Sequence, residues 1–430
     1  MRSYLSCAGI FFSCDLRLRS CAHGGWPWSA TARGEIVSTS VRHSGSVYSR
    51  GNPAYPRRPA PNPRINHRIS APSYNTVVIV PARNEEAGIL LSLKSLHRQT
   101  RRPDLIVVVV NNSTDNTEQY AAGYAGDPRT PPTVVLTLND NPHKKAGALN
   151  YAMEWLRVRV GGRLDAVRHV LAMDADTELH PNFLERAINV MASDQKIGGV
   201  SAACFGRTGL WGSLWQRYLL GMQILEYGRA AHARYRTNVH TMSGAGSFYR
   251  GTALQSVIDR RGQVFWEDHR NLVEDYETTL ALKEAGWKVT ANEFCIAYTD
   301  LMPTLRELVV QRERWARGTV DALRLRGWSE FTRRAIVTLF FNFFGFACFL
   351  IWGSAYWTSL AGGNFQHWPA ILLLTAFWAV YSAVAVRQLG WKAMLVQALL
   401  IPATLYTLLN MYWSISSVLK SYFTPVPAWK

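Results

Sequence analysis

The segment DAD puts Asp174 and Asp176 two residues apart. At the end of a strand, that spacing turns both carboxylates to one side of the chain. They repel there unless a cation lies beside them, and oxygen ligands of this kind suit a hard divalent ion such as Mg2+ or Mn2+. A turn with an Asp cap before the helix at PNFLERAI would use the same residues, and D-x-D alone does not decide between the two. In VEDYETTLALKEAGW, a helix closed by Gly286, Glu274 and Asp275 occupy the first turn. The helix dipole stabilises carboxylates there, and the same position suits a general base, with Asp275 taking a proton from an attacking hydroxyl.

Lys145, in KKAGALN, stands where small residues let a helix N-terminus approach an anion, and its ammonium would neutralise a diphosphate. Lys144 beside it is expected in solvent. PTLRELVVQRERWARG opens with a T-x-x-E capping box from Thr304 to Glu307 and is expected to end at Gly318. Gln311, Arg314 and Trp315 fall at i, i+3 and i+4, so one face carries an amide, a guanidinium and an indole. These match sugar hydroxyls, phosphate oxygens and the apolar face of a sugar ring. An amphipathic helix on the inner leaflet is the competing use, and Arg312 and Arg317 fit that lipid role.

Residues of this kind need a frame. From residue 74, short β-branched runs alternate with helical patterns: TVVIV, LIVVVV, TVVLTL and VRHVLAMDAD read as strands covered on both faces. Between the first two, Ile89, Leu93 and Leu96 share one helix face. The order βαβαβ implies an α/β domain with a mostly parallel sheet, whose nucleotide crevice lies at the carboxyl ends of the strands. PARNEE, NNSTDNT, NPHKKAGALN and DADTEL all fall at such ends. Each alone could be an ordinary loop.

No Asp, Glu, Lys or Arg occurs from Ala335 to Val386, nor from Ala393 to Leu419. About 20 apolar residues span a bilayer as helix, so the first run reads as two spans around AGGNFQHWP and the second as a third. Asn342, Gln397 and Asn410 would need partners inside that bundle. Arg333 and Arg334 before the first span, with Arg387 and Lys392 between the second and third, put the catalytic part in the cytoplasm and the C-terminus outside.

The net charge is +17, and the first 74 residues hold ten Arg against one Asp and one Glu. Those Arg are scattered among Pro, Ser and Gly, so disorder rather than nucleic-acid binding is expected. A transit peptide or a misassigned start are the other readings of that extension. The six cysteines form no CxxC pair, and neither a zinc site nor a disulfide framework is indicated.

The ordered set PARNE, DAD, VEDYE and QRERW, followed by membrane helices, resembles the family 2 glycosyltransferases of the cellulose synthase and hyaluronan synthase type, over residues 75–420. The resemblance implies a GT-A (Rossmann-like) domain over residues 75–300 that binds a nucleotide sugar, usually a UDP-sugar, and inverts the anomeric carbon. Interface helices over 301–334, three transmembrane helices over 335–420 and a tail over 421–430 would follow. By resemblance, Pro81, Asn84 and Glu85 line the donor site, Asp174 contacts the nucleotide and Asp176 holds the metal. Asp275 is the base beside Glu274, Lys145 and Arg314 stabilise the leaving diphosphate, and Gln311 and Trp315 position the acceptor. MSGAGSFYRGTAL, with Gly244, is similar to the acceptor-side loop, although its glycines serve equally as turn residues.

Relatives commonly carry an acid where Asn111 stands, with Asp115 four residues on; an amide can also hydrogen-bond uracil. The acceptor is expected to be a glycan, a lipid or a protein at the bilayer. The alternatives are a processive polysaccharide synthase, for which three spans are few unless the chain forms a homo-oligomer or has an export partner, and a catalytically silent scaffold.

Overall fold

A computed structural model describes residues 72–207, 212–234, 239–268, 272–363 and 368–424. The Arg-rich extension and the end of the tail lie outside the described residues.

The Val and Ile runs form strands where expected: β1 (Tyr74–Ala82), β2 (Leu105–Asn111), β3 (Thr133–Leu138) and β4 (Val167–Ala172). They are parallel, in the order β3-β2-β1-β4, with Val77 opposite Leu105 on one side and Val170 on the other. The helices α1 (Ile89–His97), α2 (Thr117–Ala125) and α3 (Lys144–Arg159) connect them. Side chains alternate between two cores: Val77, Ile79 and Val107 meet Leu149 and Leu156 of α3, while Val78, Val80 and Ile106 meet Ile89, Leu93 and Leu96 of α1. Each such fully buried side chain contributes roughly 1.5–3 kcal/mol.

The second half of the eight-stranded sheet is mixed. Short β5 (Glu178–Leu179) and α4 (Phe183–Ser193) lead to β6 (Ile197–Gly206), α5 (Leu214–Arg234), β7 (Ser247–Arg250) and α6 (Gly251–Arg261). Strand β7 runs antiparallel to both β4 and β6, and β8 (Lys288–Thr299) returns parallel to β6. The ED segment forms α7 (Glu274–Glu284), followed by Gly286 at φ 87°.

Helix α8 (Leu305–Arg326) starts at the expected capping box, with Thr304 and Glu307 bonded reciprocally. It does not stop at Gly318 but continues to Arg326. A Cβ at Gly318 would lie 2.8 Å from Val273 Cγ1, so this glycine permits close packing rather than ending the helix. Arg312 and Arg317 are corrected too: both are buried rather than turned to headgroups. Arg312 Nη2 donates to Glu226 at 2.8 Å, and Arg317 Nη2 donates to the Thr424 carbonyl at 2.6 Å.

Two apolar helices, α9 (Arg333–Ala361) and α10 (Trp368–Ala385), are long enough to cross a membrane. The third apolar run is not one helix. It divides into α11 (Trp391–Ala398) and α12 (Ile401–Phe423), bent by 73° around Leu400, whose φ is 58°. Asn410 finds its partners within its own helix, donating to the Tyr406 carbonyl and accepting from Trp413 Nε1; the Asn342 side chain lies outside the described residues.

Candidate active site

The carboxyl ends of the strands meet the start of α7 around Gly244. A Cβ built there would lie 3.1 Å from Lys145 Nζ, 3.4 Å from Asp275 Oδ2 and 3.7 Å from Asp174 Oδ2. Residues distant in sequence thus share one small space. Lys145 Nζ bridges Asp174 Oδ1 at 2.5 Å and Glu274 Oε1 at 2.7 Å. Asp275 Oδ2 accepts the Gly244 backbone N–H at 2.9 Å, and Met242 N donates to Thr279 Oγ1, so the glycine loop hangs from α7.

Charge is unevenly shared among these groups. Burial works against the Lys145 ammonium, but Asp174 and Glu274 outweigh it and hold its pKa far above the ordinary lysine range. Glu274 is the reverse case: burial would raise it, and Lys145, aided by Arg314, keeps it below its usual value. Asp275 is pushed up to about 6 by burial and by the Glu274 charge, with Lys145 opposing. Two further carboxyls rise nearby, Asp176 to about 6 through burial, Asp174 and Asp300, and Glu85 to about 7 through burial, Asp176 and Asp174.

That excess of crowded carboxylate charge fits a hard divalent cation, and all the donors are oxygens. No cluster of three or more ligating side chains arranged to hold a metal occurs among the described residues. The donor set therefore suits an ion held by one or two carboxylates and otherwise by substrate phosphates and water, as Mg2+ commonly is.

On the α8 side, the Arg314 charge acts on Glu274 and on Lys144. Lys144 is half-buried rather than free in solvent, and burial together with Arg314 lowers its pKa. Gln311 Oε1 is buried with no hydrogen-bond partner among the described residues. Trp315 packs against the apolar cluster that Val273, Tyr276 and Leu280 form with Ala322 and Leu323 of α8.

The other donor-side residues singled out in the sequence are held by the ends of β1 and β2 and the loops that follow them. Pro81 lies inside β1, paired in register with Val109. Asn111 is 4% exposed, and its amide makes two internal bonds: Nδ2 donates to the Lys144 carbonyl at 3.2 Å and Oδ1 accepts from Asn141 at 2.8 Å, leaving one N–H and one lone pair of the amide uncommitted by these bonds. Asp115 binds Thr117 and the Glu86 N–H. Asn84, at φ 54°, ties the β1 loop to Thr114.

Sequence reasoning missed Asn141 and the pair Arg207–Asp300. Asn141 Nδ2 donates to the Lys144 carbonyl at 2.6 Å, and its side chain packs so closely on Gly147 that a Cβ there would collide with its Oδ1. This asparagine fixes the strained first turn of α3, where Lys144 has φ 55°, and so aims Lys145. Arg207 holds Asp300 at 2.6 Å just beyond β6 and β8. An acid directly after a strand was the available signal for Asp300.

Comparison with known proteins places this geometry in a family. Residues 77–258 match the Glycosyl transferase family 2 model, and residues 169–424, more than half the chain, match Glycosyl transferase family group 2. The chain belongs to glycosyl transferase family group 2. It is 27% identical over 250 residues to an N-acetylglucosaminyltransferase of Rhizobium meliloti (strain 1021), covering 56% of this chain and 55% of that protein. It is 25% identical over 189 residues to a UDP-forming cellulose synthase of Dictyostelium discoideum, covering 44% of this chain and 16% of that protein. The chain thus spans at most about half the length of these curated relatives.

The mannosyltransferase PcManGT from Pyrobaculum calidifontis, solved with GDP-Man and Mn2+, shares the fold at a TM-score of 0.53 and 20% identity. The match covers 86% of this chain and 91% of that one. A GT-A family group 2 domain followed by apolar helices is the architecture of this protein.

Proposed function

We propose that this glycosyltransferase moves a sugar from a nucleoside diphosphate sugar, UDP-linked in the first instance, to a hydroxyl acceptor at the membrane surface, with inversion. The observation that carries this reading is the meeting of Lys145, Asp174, Glu274 and Asp275 around Gly244.

The Asp275 carboxylate takes the acceptor hydroxyl proton as that oxygen attacks the anomeric carbon. The new C–O bond forms as the bond to the diphosphate oxygen breaks, and the nucleoside diphosphate departs with the electron pair. Lys145 and Arg314 face the charge that grows on it, and fixed cations there stabilise the transition state more than the ground state. Mg2+ or Mn2+ held by Asp176, with Asp174 and Glu85 alongside, would supply further charge neutralisation at the diphosphate. Trp315 and Gln311 orient the acceptor. The buried Gln311 oxygen without a partner supports that role, since a sugar hydroxyl would satisfy it.

Purified full-length protein in detergent with Mn2+ should release nucleoside diphosphate from at least one of UDP-glucose, UDP-N-acetylglucosamine and GDP-mannose. Absence of release from all three, in protein that binds nucleotide, would sink the enzyme reading and favour the scaffold. Product length on a gel separates single addition from polymer synthesis.

The same proposal extends to membrane topology. We read α9 and α10 as a hairpin across the bilayer and α12 as lying at the surface. Helix α12 is tied along α8 by Lys420 to Glu313 at 2.6 Å, Ser416 to Glu313 at 2.9 Å and Arg317 to the Thr424 carbonyl. Helix α8 also carries Arg306, Arg314, Arg324 and Arg326, and such a helix stays out of hydrocarbon. The stretch of α12 before these ties rises only ~20 Å at about 1.5 Å per residue, short of the ~30 Å core. On this reading Thr424 stays on the catalytic side, as against the outside C-terminus expected from charge bias. A C-terminal fluorescent-protein fusion should glow and an alkaline phosphatase fusion stay inactive in a bacterial host; the opposite pair of results rejects this topology.

A further inference from the structure

Helix α8 carries an arginine that the chemistry above does not use. Arg312 is 3% exposed, and its Nη2 donates to Glu226 Oε2 of α5 at 2.8 Å. The same oxygen accepts the Tyr406 hydroxyl of α12 at 2.7 Å. The guanidinium carbon lies 4.4 Å from the centroid of the Trp315 ring, one helical turn on, and 5.6 Å from that of Tyr227. Its Nε and Nη1 are buried without a well-aligned hydrogen bond among the described residues, although the Tyr227 and Tyr406 hydroxyls lie beside the guanidinium and interact with it.

A packing role alone does not account for this arrangement. Removing a guanidinium from water for one well-aligned bond to Glu226 and looser contacts with two tyrosine hydroxyls is costly, and an apolar side chain of similar volume fills such a site at least as well. What the charge adds is attraction to the indole face, which operates within about 6 Å of the ring centroid. Elsewhere the indole packs on the cluster of Val273, Tyr276, Ala322 and Leu323. Trp315 is therefore held between the apolar cluster that joins α7 to α8 and a cation whose own position is set by α5 and α12.

We propose that Arg312 is a positioning residue: stacked on Trp315 and anchored through Glu226 to Tyr406, it fixes the indole at the angle on which a saccharide ring of the acceptor stacks, and so sets acceptor affinity. The inference rests on the assignment of Trp315 to the acceptor side. It makes the last apolar helix, through one hydroxyl, part of the acceptor site.

The test uses full-length protein in detergent with Mn2+ and the donor it cleaves. Cleavage of that donor by water is measured beside transfer to cellotetraose, mannotetraose or chitotetraose, whichever is extended. Arg312→Met should raise the acceptor KM about ten-fold while hydrolysis changes less than about two-fold, and Arg312→Lys should recover part of the loss. Tyr406→Phe, which removes a single hydroxyl and keeps the ring, should raise the acceptor KM by about three-fold and serves if Arg312→Met does not fold. A parallel fall of hydrolysis and transfer at unchanged acceptor KM, in Arg312→Met or in Tyr406→Phe, makes the cluster a purely structural tie and overturns the proposal. Trp315→Ala separates the two levels. If it leaves the acceptor KM unchanged, the acceptor assignment fails and the inference with it; if it raises the KM and the Arg312 and Tyr406 variants do not, the inference alone fails.

Discussion

Asp275→Asn is expected to lower the rate of sugar transfer about 10³-fold while donor affinity stays within a few-fold, because a positioned general base contributes roughly 10²–10⁴. The substitution is nearly isosteric. Asparagine has one oxygen, so it keeps either the Gly244 N–H that Asp275 Oδ2 accepts at 2.9 Å or the Tyr276 N–H that Oδ1 accepts at 2.7 Å; with the first kept, the loop over the site is held at the cost of the second bond. What disappears is the group able to take the acceptor proton. Burial and the Glu274 charge push the Asp275 carboxyl up to about 6, where it is ionised at neutral pH yet more basic than an ordinary carboxylate. The rate in the unsubstituted protein should therefore rise with pH through about 6 and level off above it, and the residual rate of the Asn variant should lack that limb. Initial rates of nucleoside diphosphate release across this range, with donor binding by calorimetry, check both parts. A variant turning over near the parent rate would remove Asp275 from the chemistry.

The parallel half of the fold was legible because its strands are sheathed on both faces. Runs such as Val77 to Val80 and Ile106 to Val110 have no solvent side, so they read as unbroken apolar stretches. With those strands placed, the rule that ligands meet the carboxyl ends of a parallel sheet brought Lys145, Asp174 and Glu85 to one edge. The mixed half was not legible. Strand β7 is four residues long and sits inside a segment that reads as a glycine loop, and β8 shows alternate burial that depends on its neighbours β5 and β6.

The misreadings share a cause, namely partners distant in sequence. Gly318 looks like a helix stop until Val273 is seen against it. Arg312 and Arg317 look like headgroup ligands until α5 and α12 cover them. Asn111 reads from sequence as a base contact alone, whereas the fold also ties its amide to Asn141 and the Lys144 carbonyl. In each case the residue type was informative and its direction was not, because direction is set by elements packed from 30 to more than 100 residues away.

Direction matters most at Lys145, whose replacement by Met should have two separable consequences. The first is kinetic: loss of a fixed cation at the departing diphosphate should cost about 10²–10³ in rate. Lys145 also opposes the rise of the Asp275 pKa, so the acidic limb of the remaining activity should move above about 6. The second is stability. Lys145, Asp174 and Glu274 retain 29%, 35% and 17% side-chain exposure, so unpairing the carboxylates should cost about 2 kcal/mol, below the range for fully buried pairs.

The sign of its pH dependence follows from the two shifts. Glu274 titrates below its ordinary 4.5 because of Lys145, so its share is present above that value and vanishes as pH falls through the lower folded-state pKa. Lys145 titrates above its ordinary 10.5, so its share is present below that value and is lost only as pH rises through the higher folded-state pKa. The gap in apparent melting temperature between parent and variant should be full at neutral pH and close on the acid side of 4.5. A gap that persists unchanged into acid would mean that Lys145 acts by packing alone, and the charge-bridged site around Gly244 would lose its physical basis.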